Sequence, residues 1–92
     1  MELKMTLEGL EKSKETFMRD AQQLDSDINR QIGFMVEDRL KPSFTSKDLR
    51  NKNSKLAESC RDLIRLGKKL SEVISKLKQI EEEIDVVKAK IE

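Results

Sequence analysis

The sequence predicts an all-α fold in which two long antiparallel helices are joined by a short turn near residues 41–46. Three observations predict it. The chain of 92 residues is 40% charged and 36% apolar, with three Phe as its aromatic residues, a composition typical of long helices rather than sheets. Apolar residues recur at spacings of three and four over most of the length. Pro, Ser and Thr cluster in one segment only, LKPSFTSKDL at residues 40–49.

The first helix is predicted from about residue 2 to residue 40. Its apolar residues form a heptad seam, a stripe that packs against a neighbouring helix. Lys14 interrupts the seam, and two interpretations apply: its ammonium group extends past the seam to water, or it fixes the register of pairing. The seam residues are Leu3, Leu7, Leu10, Lys14, Phe17, Ala21, Leu24 and Ile28.

Near the end of this helix lies the uncharged run IGFMV, residues 32–36. A short apolar run can be a buried strand, but helical spacing reaches this one from Ile28 and continues beyond it. Phe34 points away from the seam, so we expect it to form, with Phe44, an apolar patch near the turn that contacts a partner chain. The residues of this region expected to face the second helix as core are Ile32, Met35, Val36 and Leu40.

The turn is predicted at residues 41–45. Pro42 disfavours a helical conformation at Lys41 and so ends the first helix. Thr45 followed three residues later by Asp48 is a variant of the capping box, which begins a helix. A connection this short makes neighbouring helices antiparallel. The whole chain, residues 1–92, is therefore expected to be a single helical-hairpin domain.

The second helix is predicted from about residue 46 to residue 91. If the hairpin is centred on the turn, facing residues have numbers that add to about 88, which places Ala21 opposite Gly67 and allows a close approach of the backbones. An alternative with three helices breaks the chain at Gly33 or at Gly67. The seam residues are Leu56, Ser59, Leu63, Leu66, Leu70, Val73, Leu77, Ile80, Ile84, Val87 and Ile91.

The apolar stripe is wider than two facing seams require, because further uncharged residues such as Cys60, Gly67 and Ile32 lie beside the seams. A bundle helix has such a stripe, whereas a two-stranded coiled coil uses two positions in seven. We therefore expect association into a bundle of three or four helices. The candidate residues of the partner interface are Phe34, Phe44, Met18, Ile64 and Ile74.

No catalytic motif is present. The chain has no His, and it lacks the glycine-rich phosphate-binding and nucleophile sequences. Cys60, which has no His to activate it, is expected to be a small core residue. The run Glu81, Glu82 and Glu83 is expected to be solvated, since consecutive helical residues point in different directions. We expect no enzymatic activity, no cofactor, no metal site and no small-molecule substrate.

Charge is uneven along the chain, although the net charge is only +1. Residues 47–69 contain eight basic and three acidic residues, and clustered basic residues can contact anionic lipids or other polyanions. The simpler interpretation is pairing with acidic residues of the first helix, such as Glu15, Asp20, Asp25 and Asp27. The eight candidate anion-facing residues are Lys47, Arg50, Lys52, Lys55, Arg61, Arg65, Lys68 and Lys69.

These features favour a non-enzymatic interaction module, a coiled-coil subunit, adaptor or spacer that assembles with itself or with another helical protein. One alternative is a peripheral binder of anionic membranes or polyanions through residues 47–69; another is a small chaperone that masks an amphipathic client helix. Nucleic acid is disfavoured because no Tyr or Trp can stack on bases.

The chain begins without a signal peptide and has no long apolar run, so we expect a soluble intracellular protein, cytoplasmic or nuclear. The second helix reaches the end of the chain without a stop signal, which leaves open that the sequence is a fragment.

Overall fold

A computed structural model describes residues 2–91 as a helical hairpin. Helix α1 spans Glu2–Leu40 and helix α2 spans Ser46–Ile91, and the molecule measures 70 × 15 × 14 Å. The predicted fold class is confirmed, including the position of the turn. Both helices continue through Gly33 and Gly67, so the alternative with three helices is wrong.

The turn ends in a capping box that begins α2. The backbone N–H of Asp48 donates to the hydroxyl of Thr45 at 3.1 Å. In return, Asp48 Oδ2 accepts hydrogen bonds from the N–H groups of Phe44 at 3.1 Å and Thr45 at 3.2 Å. The N–H of Leu49 donates to the carbonyl of Thr45 at 3.2 Å. This reciprocal network satisfies donors that a helix start leaves unpaired, and it confirms the capping box that the sequence predicts.

The core is a narrow seam between the helices. Within residues 2–91, two side chains are buried, Leu77 at 7% exposure and Ile84 at 5%. The other α2 seam residues from Leu56 to Val87 are half-buried, and Ile91 is exposed. Two helices alone cover their apolar side chains only in part, and this hairpin follows that rule.

The seam of α1 follows the prediction from Leu7 to Ile28, whereas the predicted seam residue Leu3 is exposed and the seam differs from the prediction after Ile28. Its half-buried positions continue with the same alternating steps of three and four, which a seam of seven-residue period requires. Two polar residues thereby enter the seam, and one of them, Gln31, donates a hydrogen bond to the Ser59 hydroxyl across the hairpin at 3.4 Å. The continued seam consists of Gln31, Met35 and Asp38.

The predicted core assignment is consequently wrong at three of four positions. Ile32, Val36 and Leu40 are exposed, Leu40 at 79%, whereas Met35 is half-buried as expected. The prediction moved the seam around the helix to follow the apolar residues. In the structure the two helices stay in one continuous contact, because an unbroken seam keeps the rods side by side.

The register is shifted by about one turn from the predicted one. In the predicted register the numbers of two facing residues add to about 88. In the structure they add to 90 for Gln31 and Ser59, to 93 for Phe17 and Lys76, and to 95 for Lys14 and Glu81.

Gly67 is therefore not a point of close backbone approach. A Cβ atom added there would have nothing within 4 Å, so the predicted tight layer with Ala21 is wrong.

Removing the capping hydroxyl should destabilise the hairpin. Thr45→Ala is expected to lower the free energy of unfolding by about 1 kcal/mol, because the N–H of Asp48 loses its acceptor. Urea denaturation followed by circular dichroism measures this. Thr16→Ala is the matched control, since the Thr16 hydroxyl only donates back to the carbonyl of Lys12 in mid-helix, a bond of little value. An equal loss in both variants would contradict the capping role.

Acid should weaken the same cap. The hydrogen bond from the backbone of Phe44, together with those from Thr45, holds the pKa of Asp48 below its ordinary value of 3.8. A lowered pKa in the folded state means that the stabilisation is complete above the unfolded pKa and is lost as the pH falls through the folded pKa. The stability difference between the wild type and Asp48→Asn should therefore close on acidification. A difference that stays constant down to low pH would contradict this assignment.

Candidate partner-binding flank

Each helix of the hairpin has two flanks, one on either side of the seam. One surface groove is lined by Asp20 and Gln23 of α1 together with Lys69 and Glu72 of α2. The two flanks that carry these residues therefore lie on the same side of the rod. These four residues occupy equivalent heptad positions in their helices. The opposite flanks of α1 and α2 must then also lie together, on the other side of the rod.

One side of the rod is densely charged along the middle of the hairpin. Of its thirteen positions between residues 20–37 and 55–76, eleven carry Asp, Glu, Lys or Arg, which is the pattern of a solvated surface. We call it the charged flank. Its residues are Asp20, Gln23, Asp27, Arg30, Phe34 and Glu37 of α1, with Lys55, Glu58, Asp62, Arg65, Lys69, Glu72 and Lys76 of α2.

The opposite side has almost no charge over the same length. Only one of its twelve positions is charged, Asp25, in a chain that is 40% charged. We call it the low-charge flank. Its residues are Met18, Gln22, Asp25, Asn29, Ile32 and Val36 of α1, with Ala57, Cys60, Ile64, Gly67, Ser71 and Ile74 of α2.

The low-charge flank of α2 is a second heptad seam. Its six residues, at positions 57 to 74, follow one another at alternating spacings of three and four, the spacing that packs one helix against another. Ile64 is 60% exposed and Ile74 is 52% exposed, so the hairpin itself does not cover this seam. Helix α2 therefore has two packing faces, of which the hairpin uses one.

The structure separates the candidate interface residues into three groups. Met18, Ile64 and Ile74 lie on the low-charge flank, whereas Phe34 lies on the charged flank and Phe44 is in the turn, 85% exposed. All five are exposed. Phe34 and Phe44 therefore lie outside the face that Met18, Ile64 and Ile74 share.

Sequence reasoning missed one member of the low-charge flank and assigned another in two ways. Val36 was expected in the core, and Ile32 was expected both in the core and beside the seam, yet both are exposed beside the seam and extend the flank along α1. A seam of strict seven-residue period steps by three from Ile28 to Gln31, and this step places Ile32 and Val36 beside the seam. Selecting only apolar residues for the seam hides that step.

Cys60 is exposed in the hairpin. Its thiol was expected in the core of a bundle, in the row that Cys60, Gly67 and Ile74 form beside the main seam, and the hairpin alone does not test that expectation. Its exposed position on the low-charge flank makes it a natural chemical probe of that surface.

Lys14 lies at the seam but keeps its charge at the edge. Its Nζ is 4.0 Å from Oε1 of Glu81, and both side chains are about half exposed. The geometry favours an ammonium group that extends past the seam over a buried register-setting charge. An exposed pair of this kind contributes little stability, at most about 1 kcal/mol.

The basic residues of α2 do not pair with acidic residues of α1 in the described part of the chain. Arg65 pairs with Asp62 of its own helix at 3.5 Å, and Asp27 pairs with Arg30 of α1 at 3.3 Å. Lys52 donates instead to the carbonyl of Arg39 at 3.1 Å. The interpretation of the basic segment as the complement of an acidic first helix is thus not what the ion pairs show.

Comparison with protein-family models, curated proteins and solved structures gave no match for this chain. Neither α1 nor α2 is apolar over a stretch long enough to cross a membrane. Across residues 2–91 there is no group of three or more His, Cys, Asp or Glu side chains arranged to hold a metal ion.

Proposed function

We propose that the chain is a non-enzymatic interaction module that lays its low-charge flank against another helical surface and so completes a bundle of three or four helices. The observation that carries this proposal is the contrast between the two sides of the rod, one charged position in twelve against eleven in thirteen. Both sides run along the same stretch of the same two helices. If both faced only water, we would expect both to be equally charged.

Burial gives the physical reason for association. The hairpin leaves Met18, Ile32, Val36, Ile64 and Ile74 exposed on one face. These side chains are 39–60% exposed, so covering the remainder of each contributes roughly half of the ~1.5–3 kcal/mol that full burial gives. A hairpin with so narrow a core gains stability from any helix that covers the second seam.

The composition of the flank fits a helix rather than a flat or flexible partner. Apolar residues at spacings of three and four are the anchors of helix-in-groove and bundle recognition. The polar members, Gln22, Asn29 and Ser71, are uncharged and can be buried if a partner supplies hydrogen bonds. A helical partner with its own heptad seam satisfies both requirements.

Alkylation of Cys60 tests whether the flank is covered. In the native assembly, isolated with whatever partner it carries, a maleimide should react with Cys60 about tenfold or more slowly than in the denatured chain, because the thiol is reached only after local dissociation. The control is a variant that combines Cys60→Ser with Ser54→Cys, whose thiol lies on the outward side of α2 and should react at the denatured rate. Equal native and denatured rates for Cys60 would exclude a covered flank.

Added bulk on the flank should weaken association without harming the hairpin. Gly67→Gln is expected to weaken association by about tenfold or more, since overpacking a helix interface costs about 1–3 kcal/mol. Gly33→Gln is the matched control, because it lies on the outward side of α1. An added Cβ has open space at both glycines, and both variants gain helix propensity. Sedimentation velocity measures association; equal association of the two variants would argue against the flank.

A further inference from the structure

We propose that the occupant of the low-charge flank is a second copy of this chain, packed with its turn beside the open end of the first hairpin. This inference rests on the proposed function and names the partner. The two-fold axis lies in the interface, perpendicular to the rod, at the level of Asp27 in α1 and Arg65 in α2. Each α1 then faces the α1 of the second copy, and each α2 faces the other α2, all antiparallel.

The second seam of α2 is complementary to its own reverse. About a point between Arg65 and Leu66, facing positions have numbers that add to 131. In two of the three pairs a large side chain then meets a small one, which is how facing helices interdigitate at native density. The pairs are Ile64 with Gly67, Ile74 with Ala57, and Cys60 with Ser71.

The flank of α1 is also complementary to its own reverse at its centre and at its ends, here by polarity. About Asp27, facing positions have numbers that add to 54. The central pair places the carboxylate of Asp25 against Asn29 of the second copy, whose amide can donate to it. Towards the ends, Ile32 faces the amide side chain of Gln22, and Met18 meets Val36, so the outer contact is apolar. Asp25, the charged residue of the low-charge flank, thus gains a hydrogen-bond donor when the flank is covered.

The same two-fold axis fits both helices, although the midpoint of the flank on each helix was located from the sequence of that helix alone. The α1 midpoint is 27 and the α2 midpoint lies between 65 and 66, so their numbers add to a value between 92 and 93. The contacts that join the helices on either side of this level, Gln31 with Ser59 and Phe17 with Lys76, add to 90 and 93. The two midpoints therefore lie at one level of the rod to within about 3 Å.

Charge at the ends of the rod selects the same arrangement. The turn end, residues 37–55, has six basic and three acidic residues, a net charge of +3. The open end, residues 2–15 and 78–91, has six basic and eight acidic residues, a net charge of −2. The antiparallel dimer brings unlike ends together. On the flank itself Arg39 then faces Glu15, and Arg50 faces Glu81, each pair twice.

The opposite arrangement, with both turns at one end, also pairs apolar residues, such as Met18 with Ile74 and Val36 with Ala57, but it lacks the match of charges. It sets two positively charged ends side by side, and such juxtaposition of like charges acts against a mode of association. It also places Asn29 against Ile64 and Asp25 against Gly67, so the carboxylate of Asp25 is covered without a partner. The antiparallel arrangement leaves the neutral amide of Gln22 against Ile32 instead, and an unpaired charge is the costlier of the two.

Thiol cross-linking of the full chain tests the arrangement. In Ser71→Cys, the introduced thiol faces Cys60 of the second copy, so a mild two-electron oxidant such as oxygen with a copper catalyst should join two chains by a disulfide about tenfold or more faster than in the wild type, where each Cys60 faces Ser71. Ser54→Cys, on the outward side of α2, is the matched control and should link no faster than the wild type. Circular dichroism confirms that both variants keep the helicity of the parent.

The outcomes separate this inference from the proposed function. Rapid linking of Ser71→Cys alone, with Cys60 protected from alkylation, supports the antiparallel dimer. Linking no faster than in Ser54→Cys, with Cys60 still protected, overturns the second copy as occupant in this orientation and leaves a different helical partner. Unprotected Cys60 overturns the proposed function itself.

Discussion

The seven-residue spacing of the seam is the constraint on which the rest of the hairpin depends. Two rods of this length stay in contact only if each presents the same stripe from end to end. The stripe of α1 therefore runs on through Gln31 and Asp38, although apolar residues were available beside it. This choice moves Ile32 and Val36 out to the flank. The apolar residues that the core does not use are therefore exposed on one side of the rod.

The same constraint explains why the two sides of the rod differ. Residues beside a continuous seam keep a constant angular position, so a flank can acquire its own composition along its whole length. The charged flank holds acidic and basic residues that pair within one helix, as Asp27 does with Arg30 and Asp62 with Arg65. The low-charge flank carries a second heptad seam on α2. An antiparallel second copy would use that seam and the polar centre of α1 in one interface.

Much of the fold is predictable from the sequence, because strong local signals determine it. Pro42 and the capping pair of Thr45 and Asp48 locate the turn, and the unbroken apolar seam locates α2. The end of α1 was not predictable in the same way, since several apolar residues there compete for the core and only the continuity of the seam decides among them. The register was off by about one turn because heptad seams match equally well at several offsets.

The central claim is that the low-charge flank is covered by a second, overlapping hairpin, and small-angle X-ray scattering tests it most directly. An antiparallel dimer centred on Asp27 should have twice the 10.7 kDa mass of the chain but a maximum dimension of about 75 Å, since the two rods overlap nearly in full. That length is close to the 70 Å of a single hairpin, whereas the cross-section is about doubled. A particle with the mass and cross-section of one chain, or a dimer about twice as long as one rod, would contradict the account.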